Sequence, residues 1–379
     1  MRAANIGTAI AVPLALLAVI GYVTFVNVDV ICVHYLLDPS SHYDAILKLP
    51  TRTGAALAIL IIHFILLLLM LIPYARLLLS MVSNSNYIPR GSEELVDRAT
   101  ILSGAANLPK GAEKFYKRDI FVCDYQGLPN YCTECRCYKP DRAHHSSDVG
   151  RCVIRMDHFC PWVGGMVAEL NHKWFIQFLV YASFFSVFIL ATMAYMLHDQ
   201  LRRVGSLNAH TIVATAFGGM FSLFSVGMAG NTIYLAMQNL TTIETLDQKA
   251  RSYYFAVLIN GRQREAIDSP QSAPIHTITY TRDGQKVSIS PNASPGGDSR
   301  TYAVLQTRAG DRPWDLGSSN NWKQIMGRSW LDWLLPIQRS PMCRHDRSGP
   351  EYPFGAAVDR MVEDSGIGMD SLVHTSHNV

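Results

Sequence analysis

Four stretches of the chain contain no Asp, Glu, Lys or Arg: Ala3 to Val28, Thr53 to Ala75, Trp174 to Leu197 and Thr211 to Met237. A helix that crosses the hydrocarbon core needs about 20 apolar residues, and helices of soluble domains rarely stay uncharged for so long. The pattern therefore predicts an α-helical multi-pass membrane protein with four transmembrane helices, at 1–28, 53–75, 174–197 and 211–237. The first run is too long for the apolar part of a secretory signal and no small-residue cleavage site follows it, so it reads as a helix of the mature chain.

The segments outside these runs have a different texture. Residues 76–173 are rich in Cys, His, Gly and Pro and show no sustained helical periodicity, which fits a small metal-stapled module without a core of its own. In the tail, 238–340, Thr277 to Ser290 alternates and turns at Asp283-Gly284, a hairpin signal, and Tyr302 to Gln306 offers a third strand. Pro291 to Ser299 reads as a flexible loop. Beyond Pro341 the chain is polar and unpatterned, and disorder is expected over 341–379.

Charge adds an orientation. Thirteen Lys and Arg fall between Arg76 and Lys173 and fifteen after Met237, against two from Asp29 to Arg52 and two at Arg202 and Arg203. Basic residues stay on the cytosolic side, so the middle segment, the tail and both termini are expected in the cytosol. Asn292-Ala293-Ser294 is a glycosylation string that should then stay bare.

Six of the eight cysteines lie between Cys123 and Cys160. In a reducing compartment such a cluster binds metal or does chemistry rather than forming disulfides. Cys132 and Cys135 make a Cys-x-x-Cys knuckle that can grip zinc. His145 and Cys152 complete a Cys3His set, with His144 an alternative to His145 on spacing alone. Cys160 is left over. His158, two residues before it, can act as base for its thiol, and Asp157 can orient the imidazole. The candidate nucleophile stands 14 residues before the third apolar run, at the membrane surface, where lipid thioester chemistry has to happen. Cys123 and Cys137 fit no ligand position and read as structural. Cys32 belongs at the opposite interface, Cys343 in the tail. His63 within the second apolar run reads as a neutral histidine hydrogen-bonded between helices, though an ionisable group there invites a functional reading.

Asp157-His158-Phe159-Cys160, in a Cys-rich segment between the second and third of four apolar runs, resembles the signature of the DHHC family of protein palmitoyltransferases. Thr241-Thr242-Ile243-Glu244 resembles that family's TTxE motif. Gly317 to Gly327 with Asn321 resembles its C-terminal motif, followed by Trp333-Leu334-Leu335-Pro336. Lys139-Pro140-Asp141-Arg142 and Asn171-His172-Lys173-Trp174-Phe175 also match. The variant Asp-His-Phe-Cys string is compatible with the family's fungal branch. The resemblance covers roughly residues 6–250 and 315–337.

It implies S-acyl transfer from palmitoyl-CoA, through an acyl-enzyme on Cys160, to membrane-associated substrate proteins with cytosolic cysteines; it implies no nucleic-acid partner. His158 would be the base and Asp157 its orienter. Lys139 and Arg142 would meet the coenzyme A phosphates, and Trp162 would line the entry of the acyl chain. Thr241 and Thr242 would hydrogen-bond near Asp157, while Asn321 would pin the tail to the catalytic module. The alternative is a silent member that only binds partners or lipid. Family members usually hold a second zinc, but its four ligand positions read Ser146, Val149, Phe159 and Met166. A single structural zinc, on Cys132, Cys135, His145 and Cys152, is expected. The family's Asp-Pro-Gly turn is also replaced, by Asn84-Ser85-Asn86.

Overall fold

A computed structural model describes residues 3–43, 47, 49–83, 86–93, 97–267, 275–284, 286–290, 298–343 and 351–367. The chain divides into two compact units. The first comprises Met1–Ser85, Phe159–Leu235 and Met326–Arg339; the second comprises Asn86–His158, Ala236–Ile325 and Ser340–Val379. Asn84, Ser85, the Asn292 glycosylation string and most of the expected 291–299 loop lie outside the described residues.

The first unit is helical. Helix α1 (Ala3–Phe25) continues as a π-helix over Val26–Leu37, followed by α2 (Thr53–Val82), α3 (His172–Arg203) and α4 (Ala209–Met237). All four are long and apolar enough to cross a membrane. Their outward faces carry Leu68 at 60% exposure and Leu223 at 81%, patches that water would not tolerate on this scale. These helices fit a multi-pass membrane protein.

The first helix runs on to Leu37 rather than stopping near Val28. Asp29 and His34, 3.6 Å apart, are spaced by five residues, which is the period of a π-helix, so the first charge is carried inside the helical segment. Cys32 lies within this segment and is buried. Inside the bundle, His63 Nε2 meets Thr24 Oγ1 at 3.2 Å and its ring packs on Phe185, the hydrogen-bonded placement expected. Toward one end of α3, Asp199 accepts from Arg52 at 2.6 Å and from Tyr35 at 2.8 Å.

The second unit has a core, which corrects the expectation of a coreless middle segment. Strand β1 (Ile120–Cys123) from that segment forms one edge of a five-stranded sheet. Two short hairpins follow, β2 (Tyr131–Cys132) with β3 (Cys137–Tyr138) and β4 (His144–Ser146) with β5 (Arg151–Val153). Strand β6 (His158–Cys160) pairs with β7 (Gly165–Val167), a hairpin that from Phe159 onward belongs to the first unit. The tail supplies β8 (Tyr254–Ile259), β9 (Thr277–Asp283), β10 (Lys286–Ile289) and β11 (Ser299–Gln306).

The large sheet runs β1-β8-β11-β9-β10, all antiparallel where neighbours pair. The expected hairpin is β9–β10, and the expected third strand, longer than foreseen, sits at the centre. Phe115, Phe121, Tyr280 and Tyr302 interlock on one face with edge-on ring contacts. Gly127 has a positive φ, and a Cβ there would stand 2.8 Å from both Ile278 and Val304, so a side chain at this turn would part the sheet from its loop.

The other face is closed by the helix Ala356–Asp364, inside the region expected to be disordered. Val358, Met361 and Val362 recur at helical spacing and pack with Phe255, Val257 and Leu305. That correction has a simple cause: a two-turn apolar stripe is too short to stand out in sequence, but suffices when a sheet face is waiting for it.

Candidate active site and metal centre

The metal centre grows from the two short hairpins. The first carries Cys132, with Cys135 in its turn, and the second pairs His145 directly with Cys152. Gly91 donates its N–H to the Cys135 carbonyl at 3.0 Å. A Cβ at Gly91 would fall 1.7 Å from the Arg136 carbonyl oxygen, so only glycine lets the chain pass the knuckle this closely.

His145 Nδ1 lies 3.3, 3.5 and 3.9 Å from the sulfurs of Cys135, Cys132 and Cys152, and all four donor atoms fall within 4.8 Å of one another. Bonds of about 2.3 Å to sulfur and 2.0–2.1 Å to nitrogen at tetrahedral angles put neighbouring donors roughly 3.5–3.8 Å apart. The donor set therefore fits a tetrahedral metal. His145, not His144, faces it, and its other nitrogen meets Glu134 at 2.9 Å, an outer carboxylate contact that holds a ligand ring in place. Among the described residues no second such group occurs; Ser146, Val149 and Met166 are buried.

Asp157 and His158 end the first segment of the same unit. Asp157 Oδ2 accepts from His158 Nδ1 at 2.5 Å. The carboxylate is itself gripped by Thr242, whose N–H reaches Oδ1 at 2.8 Å and whose hydroxyl reaches Oδ2 at 3.1 Å. Thr241 does not bond Asp157. It caps the short helix Thr242–Thr245 in a capping box with Glu244, which fixes where Thr242 points. His158 and Cys160 stand two positions apart in the chain, with His158 closing a segment of the second unit and Cys160 lying in the first.

Arg142 departs from its expected role at the coenzyme A phosphates. Its buried guanidinium forms a bidentate pair with Glu244 at 2.8 and 2.7 Å and bonds the side chain and carbonyl of Asn239, each at 2.8 Å. The rings of Trp314 and Tyr352 stack over it at 4.9 and 5.4 Å. Four of its five donors are thus committed to the protein. Burial opposes the charge on Glu244, but Arg142, with help from Arg155, outweighs it and holds the carboxyl below the ordinary value. Asn321 donates to the Met237 carbonyl at 2.9 Å and to Asp315 at 2.7 Å, both outside the Cys-rich module that it is expected to hold.

A cavity of about 400 Å³ opens beside this network, with Lys139, His144, Arg251 and Tyr253 in its wall. Arg142 lines this cavity as well, but Lys139 has no ion pair among the described residues.

In the first unit Cys160 is buried. Trp162 packs against Phe221 and Phe224 of α4, with ring centroids 5.9 and 5.7 Å away. Its carbonyl accepts from Tyr74 of α2 at 3.0 Å, which seats the segment after Cys160 among apolar helices.

Residues 126–249 match the DHHC palmitoyltransferase family. A relative named Palmitoyltransferase pfa5, from Aspergillus fumigatus, is 35% identical over 96% of this chain and 91% of its own length. Its namesake from Emericella nidulans is 33% identical over 97% of this chain and 87% of its own length. Palmitoyltransferase PFA3 from Candida albicans is 30% identical over 55% and 47%. The chain belongs to the DHHC palmitoyltransferase family.

Two features of this palmitoyltransferase were missed in its sequence. The Arg142–Glu244 pair spans 102 positions, and no local pattern announces it. Strand β8 did leave a signal, the run Tyr253-Tyr254-Phe255-Ala256-Val257-Leu258-Ile259, which has the aromatic and branched composition of a buried strand.

Proposed function

We propose that this protein S-palmitoyltransferase works by two-step transfer, with Cys160 as the acyl carrier. The observation that carries the reading is the Thr242–Asp157–His158 chain of hydrogen bonds ending two residues before the thiol. With Nδ1 bonded to Asp157, His158 uses Nε2 as the base. The imidazole takes the Cys160 proton, the thiolate attacks the thioester carbonyl of palmitoyl-CoA, and coenzyme A leaves with that proton on its sulfur. A cysteine of a membrane-associated protein then gives its proton to His158 and attacks the acyl-enzyme, which regenerates the Cys160 thiol. Asp157 stays ionised and stabilises the imidazolium. Lys139 meets the anionic head of the donor at the 400 Å³ cavity, and Trp162 lines the way of the acyl chain. Purified protein given clickable palmitoyl-CoA is expected to carry a hydroxylamine-sensitive label and to pass it to an acceptor cysteine. A protein that binds palmitoyl-CoA and never becomes labelled would be the silent member instead.

Zinc is the metal that suits three thiolates and an imidazole in a closed tetrahedron, and a closed site is structural. Elemental analysis should give about one zinc per chain; two would mean that ligands outside the Cys132, Cys135, His145 and Cys152 set are at work. Structural zinc contributes roughly 10–16 kcal/mol to such small folds at pH 7, so stripping the metal should unfold this part of the chain.

The four long helices span the bilayer, with the Cys-rich segment, the sheet-forming tail and both termini in the cytosol. The charge distribution supports this orientation. Tags at either end should be digested in sealed microsomes, and Asn292 should bear no glycan. A glycosylated Asn292 would overturn the topology.

A further inference from the structure

The tail returns to the helical unit over Met326–Arg339. Within that stretch lies the five-residue helix Trp330–Leu334, none of whose residues is buried. Trp330 is 63% exposed and Ile337 64%, and Leu331, Leu334 and Leu335 are exposed beside them. So much apolar surface in one short run marks a place that meets something other than water.

The backbone points the same way. A helix this short cannot pair its last carbonyls, and in water it would leave them to solvent. Here the two neighbouring long helices supply the donors. Gln177 Nε2 reaches the carbonyls of Asp332 and Trp333 at 3.3 and 3.0 Å, and the Tyr181 hydroxyl reaches that of Leu334 at 2.6 Å. Arg76 donates to the Ile337 carbonyl at 2.9 Å. Ser329 and Asp332 close the first turn as a capping box, and Trp333 Nε1 donates to the Gly327 carbonyl at 2.8 Å. Polar atoms paired within the protein and apolar side chains turned outward are what a lipid neighbour requires.

The level of the segment on those helices agrees. The uncharged run of α2 ends at Ala75, next to Arg76, and that of α3 begins at Trp174. At 1.5 Å per residue, Gln177 and Tyr181 stand about 5 and 10 Å inside the apolar stretch, the depth at which interfacial helices lie. The Arg76 guanidinium sits over the Trp174 ring at 5.5 Å, a pair of residue types that mark the membrane–water boundary. Arg328 and Arg339, both exposed, bracket the run and can extend to the headgroups. We infer that residues 329–337 form an in-plane membrane anchor. Trp330, Leu331, Leu334, Leu335 and Ile337 lie among the upper acyl chains, and the tail is held at the bilayer there in addition to the four spanning helices.

The inference rests on the spanning of the bilayer proposed above, and the experiment keeps the two apart. The full-length protein is placed in nanodiscs of phosphatidylcholine whose acyl chains carry bromine near the headgroup, near the methyl end, or not at all. Emission from Trp330 is the difference between wild type and Trp330→Phe, a change that keeps an aromatic ring at the exposed position. Leu223→Trp, midway along α4 and 81% exposed in the parent chain, reports the spanning helices. Trp330 is expected to lose most of its emission to shallow bromine and less to deep bromine. Leu223→Trp should show the reverse order, and aqueous iodide should quench neither. Bromine that quenches Leu223→Trp but leaves Trp330 bright overturns the anchor alone, and iodide then tells whether water or protein covers the segment. Stronger quenching of Trp330 by deep than by shallow bromine overturns the in-plane placement. If bromine quenches neither, the spanning reading fails and the inference with it.

Discussion

Cys160→Ser is expected to carry no thioester label after incubation with palmitoyl-CoA, while His158→Ala still loads, about 10²–10⁴-fold more slowly. The two outcomes differ because the residues do different work. The sulfur forms the bond that holds the acyl group, so nothing replaces it; a serine hydroxyl is a far poorer nucleophile near neutral pH. The imidazole only raises the fraction of thiolate and moves protons, and solvent performs those steps poorly but not at zero rate. His158 is held through Nδ1 by Asp157, and Asp157 by Thr242. Thr242→Ala should therefore fall between wild type and His158→Ala, because it removes the hydroxyl donor to Asp157 and keeps the backbone N–H. Single-turnover loading with clickable donor, read before and after hydroxylamine, measures all three. A hydroxylamine-labile label of normal size on Cys160→Ser would place the acyl carrier elsewhere.

The second large effect falls on stability rather than chemistry. Arg142→Ala is expected to destabilise the second unit by about 3–5 kcal/mol, because it leaves the Glu244 carboxylate buried without its partner. For a unit of this size the unfolding midpoint should drop on the order of 10 °C. The double variant Arg142→Ala/Glu244→Ala should be less damaged than the sum of the two single changes, since neither charge is stranded. Lys139→Ala serves as contrast. It should leave stability within about 0.5 kcal/mol and raise KM for palmitoyl-CoA with kcat little changed, the mark of a group that binds donor and transition state equally.

The pH dependence has a definite sign. The Glu244 carboxyl is held below its ordinary value in the fold, so its contribution is complete above the unfolded carboxylate range. It fades as pH falls through the lower folded value. Wild type should lose stability on acidification below about pH 4, and the double variant should lack that component. If Arg142→Ala melts with wild type, the pair is no keystone, and Arg142 is free for the phosphate role instead.

The Glu244 carboxyl shows where sequence reading stops. The four apolar runs, the Cys-x-x-Cys knuckle with His145 and Cys152, and the Asp157-His158-Phe159-Cys160 string are all local. Their chemistry follows from residue type and short spacing, because a membrane span needs only an unbroken apolar length and a metal knuckle only close donors. The non-ligand side chains of Val149 and Phe159, and the weak donors Ser146 and Met166, were equally legible as residue types. By itself, then, the sequence determined the four long apolar helices, the grouping of Cys132, Cys135, His145 and Cys152, and the Asp157–His158 pair two residues before Cys160.

What only the tertiary structure decided depends on partners distant in the chain. That Arg142 pairs with Glu244, that Thr242 holds Asp157 while Thr241 caps a helix, and that Cys137 lies opposite Cys132 in a hairpin are facts of packing. So is the sheet that joins Ile120–Cys123 to strands more than a hundred residues later, and the helix Ala356–Asp364 that closes its other face. A short strand or a two-turn helix has too little local preference to declare itself. It forms because burying its apolar face against that sheet supplies the free energy its own hydrogen bonds cannot.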